Sequence, residues 1–122
     1  MKILVISALV LFPLLADADY LDVLQFTLKD GCTVEQYVAI ANDFNEQWGK
    51  SHGYHSEVAV PLQSEDLVSI FWLGRTANAE SFGKAWDTWR NESADPKSVA
   101  SKLDARFEKC SDSTSRRGFD LY

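Results

Sequence analysis

The residues best suited to chemistry are few. His52 and His55 flank Gly53-Tyr54 and are the only imidazoles in the chain. On a strand, His55 and Glu57 share a face, and an imidazole in such a setting is a candidate general base. A metal centre needs at least three placed ligands, and His52-Gly-Tyr-His55 matches no zinc spacing. The pair therefore reads first as a solvated loop and strand end. No Ser/His/Asp elbow, Cys–His pair, phosphate-cradling glycine loop or dinucleotide fingerprint occurs, so the motifs nominate no cofactor and no metal.

The other reactive side chains are Cys32 and Cys110, the only cysteines. Neither has an activating neighbour in sequence, which favours a structural disulfide closing a loop of 78 residues. An oxidising compartment is then required, and the N-terminus supplies the address. Lys2 precedes the apolar stretch Ile3–Leu15, and Ala16-Asp17-Ala18 places small residues at the −3 and −1 positions of a cleavage after Ala18. The stretch is too short to span a bilayer, so Met1–Ala18 is expected to be a signal peptide and Asp19–Tyr122 a single exported domain.

Elements must bring such residues together. Leu21–Lys29 alternates, with Leu24, Phe26 and Leu28 on one face and Val23, Gln25 and Thr27 on the other. Thr33-Val-Glu-Gln36 has the form of a capping box, and the stripe Val34, Tyr37, Val38, Ala41, Phe44, Trp48 follows it. Tyr54–Leu62 and Asp66–Arg75 read as strands joined by the short polar link Gln63-Ser64-Glu65. Asn78 opens a helix bearing Phe82, Ala85, Trp86 and Trp89, and Asp95-Pro96 opens a second one with Val99, Ala100, Leu103 and Phe107. Ser111–Ser115 reads as a loop and Gly118–Tyr122 as a last strand. A faint repeat, Asp22–Tyr37 over Asp66–Phe82, supports two interleaved strand–helix–strand units. The expected fold is thus α+β, a βαββαβ arrangement whose second helix is split in two. Its four-stranded antiparallel sheet carries helices on one face, with the first and third strands central. In that topology Cys32 and Cys110 meet at one corner of the sheet.

The face away from the helices is the expected ligand-binding surface. Gln25, Thr27, His55, Glu57 and Trp72 converge there if Phe71 and Leu73 face the helices, with Asp120 and Tyr122 joining from the last strand. The second strand leaves an alternative open, in which Ser56 and Val58 occupy that face instead. Trp72 would be a dimer anchor or a ligand platform, whereas Trp48, Trp86 and Trp89 belong to helical stripes and the core. Asp87 and Glu92 read as exposed helix charges. Asn91-Glu92-Ser93 is a formal glycosylation sequon, relevant only in a eukaryotic source.

The chain has 122 residues, 46% hydrophobic and 25% charged, with a formal net charge of −6. That is one domain's worth, and the acidic balance without a basic cluster argues against nucleic acid or an anionic membrane as partner.

With this order in place, the chain resembles the ferredoxin-like domain of the dimeric α/β-barrel superfamily, and more locally small exported bacterial proteins of that type. The likeness is carried by the strand entering Leu28-Lys-Asp-Gly-Cys-Thr33, by Trp48, by Ser69-Ile-Phe-Trp-Leu73, and by Glu108-Lys-Cys110. It implies a homodimer formed by face-to-face sheets and a pocket between each sheet and its helices. In some members that pocket hosts cofactor-free oxygenation, isomerisation or haem chemistry, but no catalytic set of theirs matches these residues. The resulting expectation is a dimeric module that binds a small apolar or aromatic molecule. The alternatives are a cofactor-independent oxygenase using His55 and Trp72, or a pure interaction partner of another exported protein.

Overall fold

The computed structural model describes residues 19–122, so the expected signal peptide Met1–Ala18 lies outside the described residues. The elements are β1 (Asp19–Leu28), α1 (Val34–Gln47), β2 (His55–Ala59), β3 (Ile70–Thr76), α2 (Ala79–Ser93), α3 (Val99–Cys110) and β4 (Ser111–Leu121). The sheet is antiparallel in the order β2-β3-β1-β4, which is the ferredoxin-like arrangement with β1 and β3 central.

Local chemistry explains the boundaries. The Thr33 hydroxyl accepts the Gln36 N–H while the Gln36 side chain accepts the Thr33 N–H, the reciprocal cap that starts α1. Gly53, at φ 64°, ends the short 3-10 turn Gly49–His52 that follows. Helix α3 starts at Ser98, whose hydroxyl accepts the Ser101 N–H, rather than at Asp95-Pro96. Asp95 instead accepts the Lys97 N–H and closes the turn before it.

Three expectations about strands change. Strands β2 and β3 are shorter than their apolar runs, and Val60–Ser69 is a loop. Its far side is fixed by Asp66, whose carboxylate accepts the N–H groups of Val68 and Ser69 and the Ser69 hydroxyl. These bonds divert Leu67 and Val68 from the ladder and leave them exposed. Ser111–Ser115 is not a loop but the first half of β4, which pairs along the whole of β1 with one register shift at Gln25/Phe26. An edge strand this open to water lacks the alternation that reveals inner ones.

Core and disulfide agree with the expected packing. Phe26, Tyr37, Ile40, Ala41, Phe44, Ala100 and Leu103 are buried between sheet and helices. Cys32 and Cys110 form a disulfide with Cα atoms 5.2 Å apart, where Lys29 N–H also donates to the Cys110 carbonyl at 2.9 Å. It ties the end of β1 to the end of α3.

Candidate functional site: an aromatic cavity on a buried ion pair

The register decides which face each side chain takes. Leu24 pairs with Trp72, Phe26 with Ile70 and Asp22 with Gly74, so these residues all point toward the helices. Trp72 is therefore not on the open face: it is 6% exposed and packs edge-on against Phe44 at 5.0 Å. Phe71 and Leu73 take the open face in its place. The uninterrupted apolar run explains the reversal, because an apolar residue at every position from Ile70 to Leu73 carries no alternation to read, although burial along β3 does alternate.

Asp22 is the unexpected residue. It sits at the centre of β1 on the helix face, 1% exposed, directly opposite Gly74 on β3 and Gly118 on β4. A Cβ on Gly74 would overlap the Tyr54 phenol, and one on Gly118 would overlap the Tyr20 phenol. The two glycines thus open space on both sides of the carboxylate for tyrosine rings.

Four side chains satisfy one another there. The Tyr54 hydroxyl donates to Asp22 Oδ2 at 2.7 Å, and the Trp72 indole N–H donates to the Tyr54 oxygen at 2.7 Å. Arg116 grips the same carboxylate side-on, Nε to Oδ1 at 2.9 Å and Nη2 to Oδ2 at 2.6 Å. A buried carboxylate is tolerated only when paired and bonded in this way. The guanidinium also lies 4.0 Å from the centre of the Trp86 ring, a cation–π contact. Burial of Arg116 disfavours its charge, but the bonds and charge of Asp22 outweigh that effect and hold it above the usual arginine value. Burial first, and then the Asp22 charge, push the Tyr54 phenol far above the ordinary tyrosine range. Burial does the same to Tyr37, which stacks on Phe26.

These two phenols give a signed pH dependence. A group whose folded-state pKa is raised contributes stability that is complete below its unfolded value, here 10.0, and is lost as pH rises toward the folded one. Stability should therefore fall steadily above about pH 10. Tyrosinate absorbance should show part of the tyrosines ionising only as the chain unfolds.

Above this pair, between the sheet and the helices, lies a cavity of about 350 Å³ that is open to solvent on one side. All four tryptophans of the chain line it: Trp72 on the sheet, Trp48 at the end of α1, and Trp86 and Trp89 on α2. Phe44 lies among them, edge-on to Trp89 at 5.3 Å as well as to Trp72. Trp48 is fixed from outside, its indole N–H bonded to Glu92 at 2.6 Å and its ring stacked on His52 at 4.1 Å. Glu92 is therefore an indole acceptor rather than a free helix charge. Its polar lining residues are Arg116, Ser111 and Ser113 on β4, and Asp104 and Glu108 on α3.

The residues expected to form a ligand surface are divided by the sheet. Gln25, Thr27, His55 and Glu57 share the open face, as Ser56 and Val58 point inward and resolve the ambiguity of β2. Gln25 is committed there, donating to the Ser69 hydroxyl at 3.0 Å and accepting from Ser115 at 3.2 Å. Trp72 is on the other face. Asp120 pairs with Tyr20 on the helix face, so it too leaves the expected set, and Phe119, opposite Leu21, takes the open face. Tyr122 lies beyond β4 and is fully exposed. Among the described residues no group of three or more His, Cys, Asp or Glu is placed to hold a metal ion.

Strand order and element order define a ferredoxin-like α+β domain with its cavity between sheet and helices. No family model matches the chain, and no curated protein does. Solved structures do share the fold. SnoaB, a cofactor-independent oxygenase from Streptomyces nogalater, is similar with a TM-score of 0.53 at 12% identity, over 86% of this chain and 94% of that one. A protein of unknown function from Bacteroides thetaiotaomicron, described as a possible oxidoreductase, has a TM-score of 0.55 at 10% identity, over 87% and 100%. A dimeric ferredoxin-like protein from Bacteroides fragilis has a TM-score of 0.45 at 16% identity, over 84% and 96%.

Proposed function

We propose that this chain is an exported protein that binds a flat aromatic molecule in the cavity between its sheet and helices. The observation that carries the proposal is the cavity itself: about 350 Å³ walled by every tryptophan of the chain, over an arginine held rigid by a buried carboxylate. Concave, mostly apolar space with a few fixed polar groups is the usual form of a small-molecule site. Stacking and edge contacts favour planar ligands on such walls. Export is supported by the disulfide, which suits an oxidising compartment, and by the leader-like Met1–Ala18. No helix among the described residues is long and apolar enough to cross a membrane.

The open sheet face supports a homodimer. It presents Leu21, Val23, Phe71, Leu73 and Phe119, with Arg75 and Arg117 set beside Leu21 and Val23, and Phe119 is 45% exposed. Apolar side chains gathered on one sheet face of a small domain suit an interface, and arginines beside them suit its rim. In that assembly Gln25, Thr27, His55 and Glu57 are interface residues rather than a ligand surface. Sedimentation should give a dimer; a monomer at high micromolar concentration contradicts this part of the proposal.

The binding reading is tested by fluorescence, since all the tryptophans report on the cavity. A neutral bicyclic aromatic such as 2-naphthol should quench emission saturably, and Trp86→Ala should weaken binding at least tenfold. Quenching that never saturates would overturn the reading. Oxygenation without a cofactor is the second reading and rests on the fold shared with SnoaB. Oxygen uptake with a hydroxylated aromatic substrate separates it from binding alone.

A further inference from the structure

Resting on the cavity reading, we infer that the site selects its ligand by charge and takes an organic cation, an aromatic amine whose ammonium faces α3. The polar groups that line the cavity are unequal in what they have left to offer. Arg116 is the one cation among them, and its charge is already matched: both oxygens of Asp22 are bonded to it, and its face lies on Trp86. Asp104 and Glu108, one helical turn apart on α3, line the solvent-facing rim of the same cavity, Asp104 half-buried and Glu108 exposed, and neither has a counter-ion.

The cations that might neutralise them are engaged elsewhere. Lys29 donates to the Glu108 main-chain carbonyl at 2.6 Å and pairs with Asp112 at 3.4 Å. Arg106 pairs with Asp43 at 2.7 Å. Among the described residues no basic group lies within ion-pair distance of either carboxylate.

Asp104 is half-buried, and its carboxyl is pushed above the usual range, by burial first and by the Glu108 charge second. A positive group seated there relieves both effects at once. The walls act in the same direction, because aromatic faces attract cations and tryptophan does so most strongly. Trp86 already holds one cation in this manner. An anion entering the cavity would meet two unmatched carboxylates and an arginine whose charge is already balanced. The preference is thus ammonium over a neutral group, and a neutral group over carboxylate.

Three probes of one shape test it: 2-(aminomethyl)naphthalene, 2-naphthalenemethanol and 2-naphthoate, titrated by tryptophan fluorescence at neutral pH. The ammonium should bind at least tenfold more tightly than the alcohol, and the carboxylate most weakly. Asp104→Asn combined with Glu108→Gln should remove the ammonium's advantage over the alcohol, the near-ultraviolet circular dichroism of the variant showing that it is folded. Glu57→Gln, the same loss of charge on the open face, should change nothing. Equal affinities, a preference for carboxylate, or an ammonium advantage that survives the double variant would overturn the inference while leaving the cavity reading intact. Failure of all three probes to bind would overturn both.

Discussion

Replacing Cys32 and Cys110 together with serine should lower stability by about 4.5 kcal/mol, the largest effect expected of any change to this chain. The bridge closes a loop of 78 residues. In the chain-entropy description its main action is on the unfolded ensemble, which loses freedom roughly with the logarithm of loop length. A domain of this size has a total stability of about 5–15 kcal/mol, so the variant stands near the threshold of folding. A melting temperature lower by about 20 °C is the corresponding thermal result. Reduction of the native protein under denaturing titration should give the same loss. A drop below about 1 kcal/mol in both experiments would show that the corner of the sheet holds without its covalent tie.

The second large effect belongs to the ion pair. Arg116→Met keeps the aliphatic stem of the side chain but removes the guanidinium with its cation–π contact to Trp86, and leaves Asp22, 1% exposed, without a counter-charge. Breaking a buried pair from one side costs about 3–5 kcal/mol. The lower figure is expected here, because the Arg116 side chain is 35% exposed and already partly hydrated. The informative variant is the double one. Asp22→Asn with Arg116→Met removes both charges, keeps an acceptor for the Tyr54 hydroxyl, and should recover most of the loss. Chemical denaturation of the two singles and the double yields the coupling directly. Additive losses would mean that the pair does not act as a unit.

How much of this was legible in the sequence depends on whether a residue's surroundings are local. The Thr33–Gln36 cap, the Asn78 cap of α2 and the outward parity of Gln25 and Thr27 follow from spacing within a few residues, the strand order follows from the order of elements and their faint repeat, and the structure agrees. The disulfide followed from topology plus composition. Trp72 did not, because its face is decided by register with Leu24, a partner 48 positions away in sequence.

Asp22 is the residue through which the strand pattern itself points to the site. It has the same parity as Leu24, Phe26 and Leu28, so an inward-facing strand was bound to bury a carboxylate, which then required a cation and donors. The glycines opposite it, Gly74 and Gly118, are a second trace of the same site, since each leaves room for a tyrosine that no single-strand pattern announces. Arg116 was hidden by its setting. On the polar edge strand β4 its neighbours give no alternation, and only pairing with β1 shows that it points inward.

The central claim, that the ligand site is the aromatic cavity and not the open sheet face, is tested most directly by NMR. Indole N–H resonances of Trp48, Trp72, Trp86 and Trp89 should shift together on addition of 2-naphthol, with intermolecular contacts to the Trp86 ring, while the amides of Thr27, His55 and Glu57 stay in place. Shifts confined to those open-face amides, with the four indoles unmoved, would contradict the account.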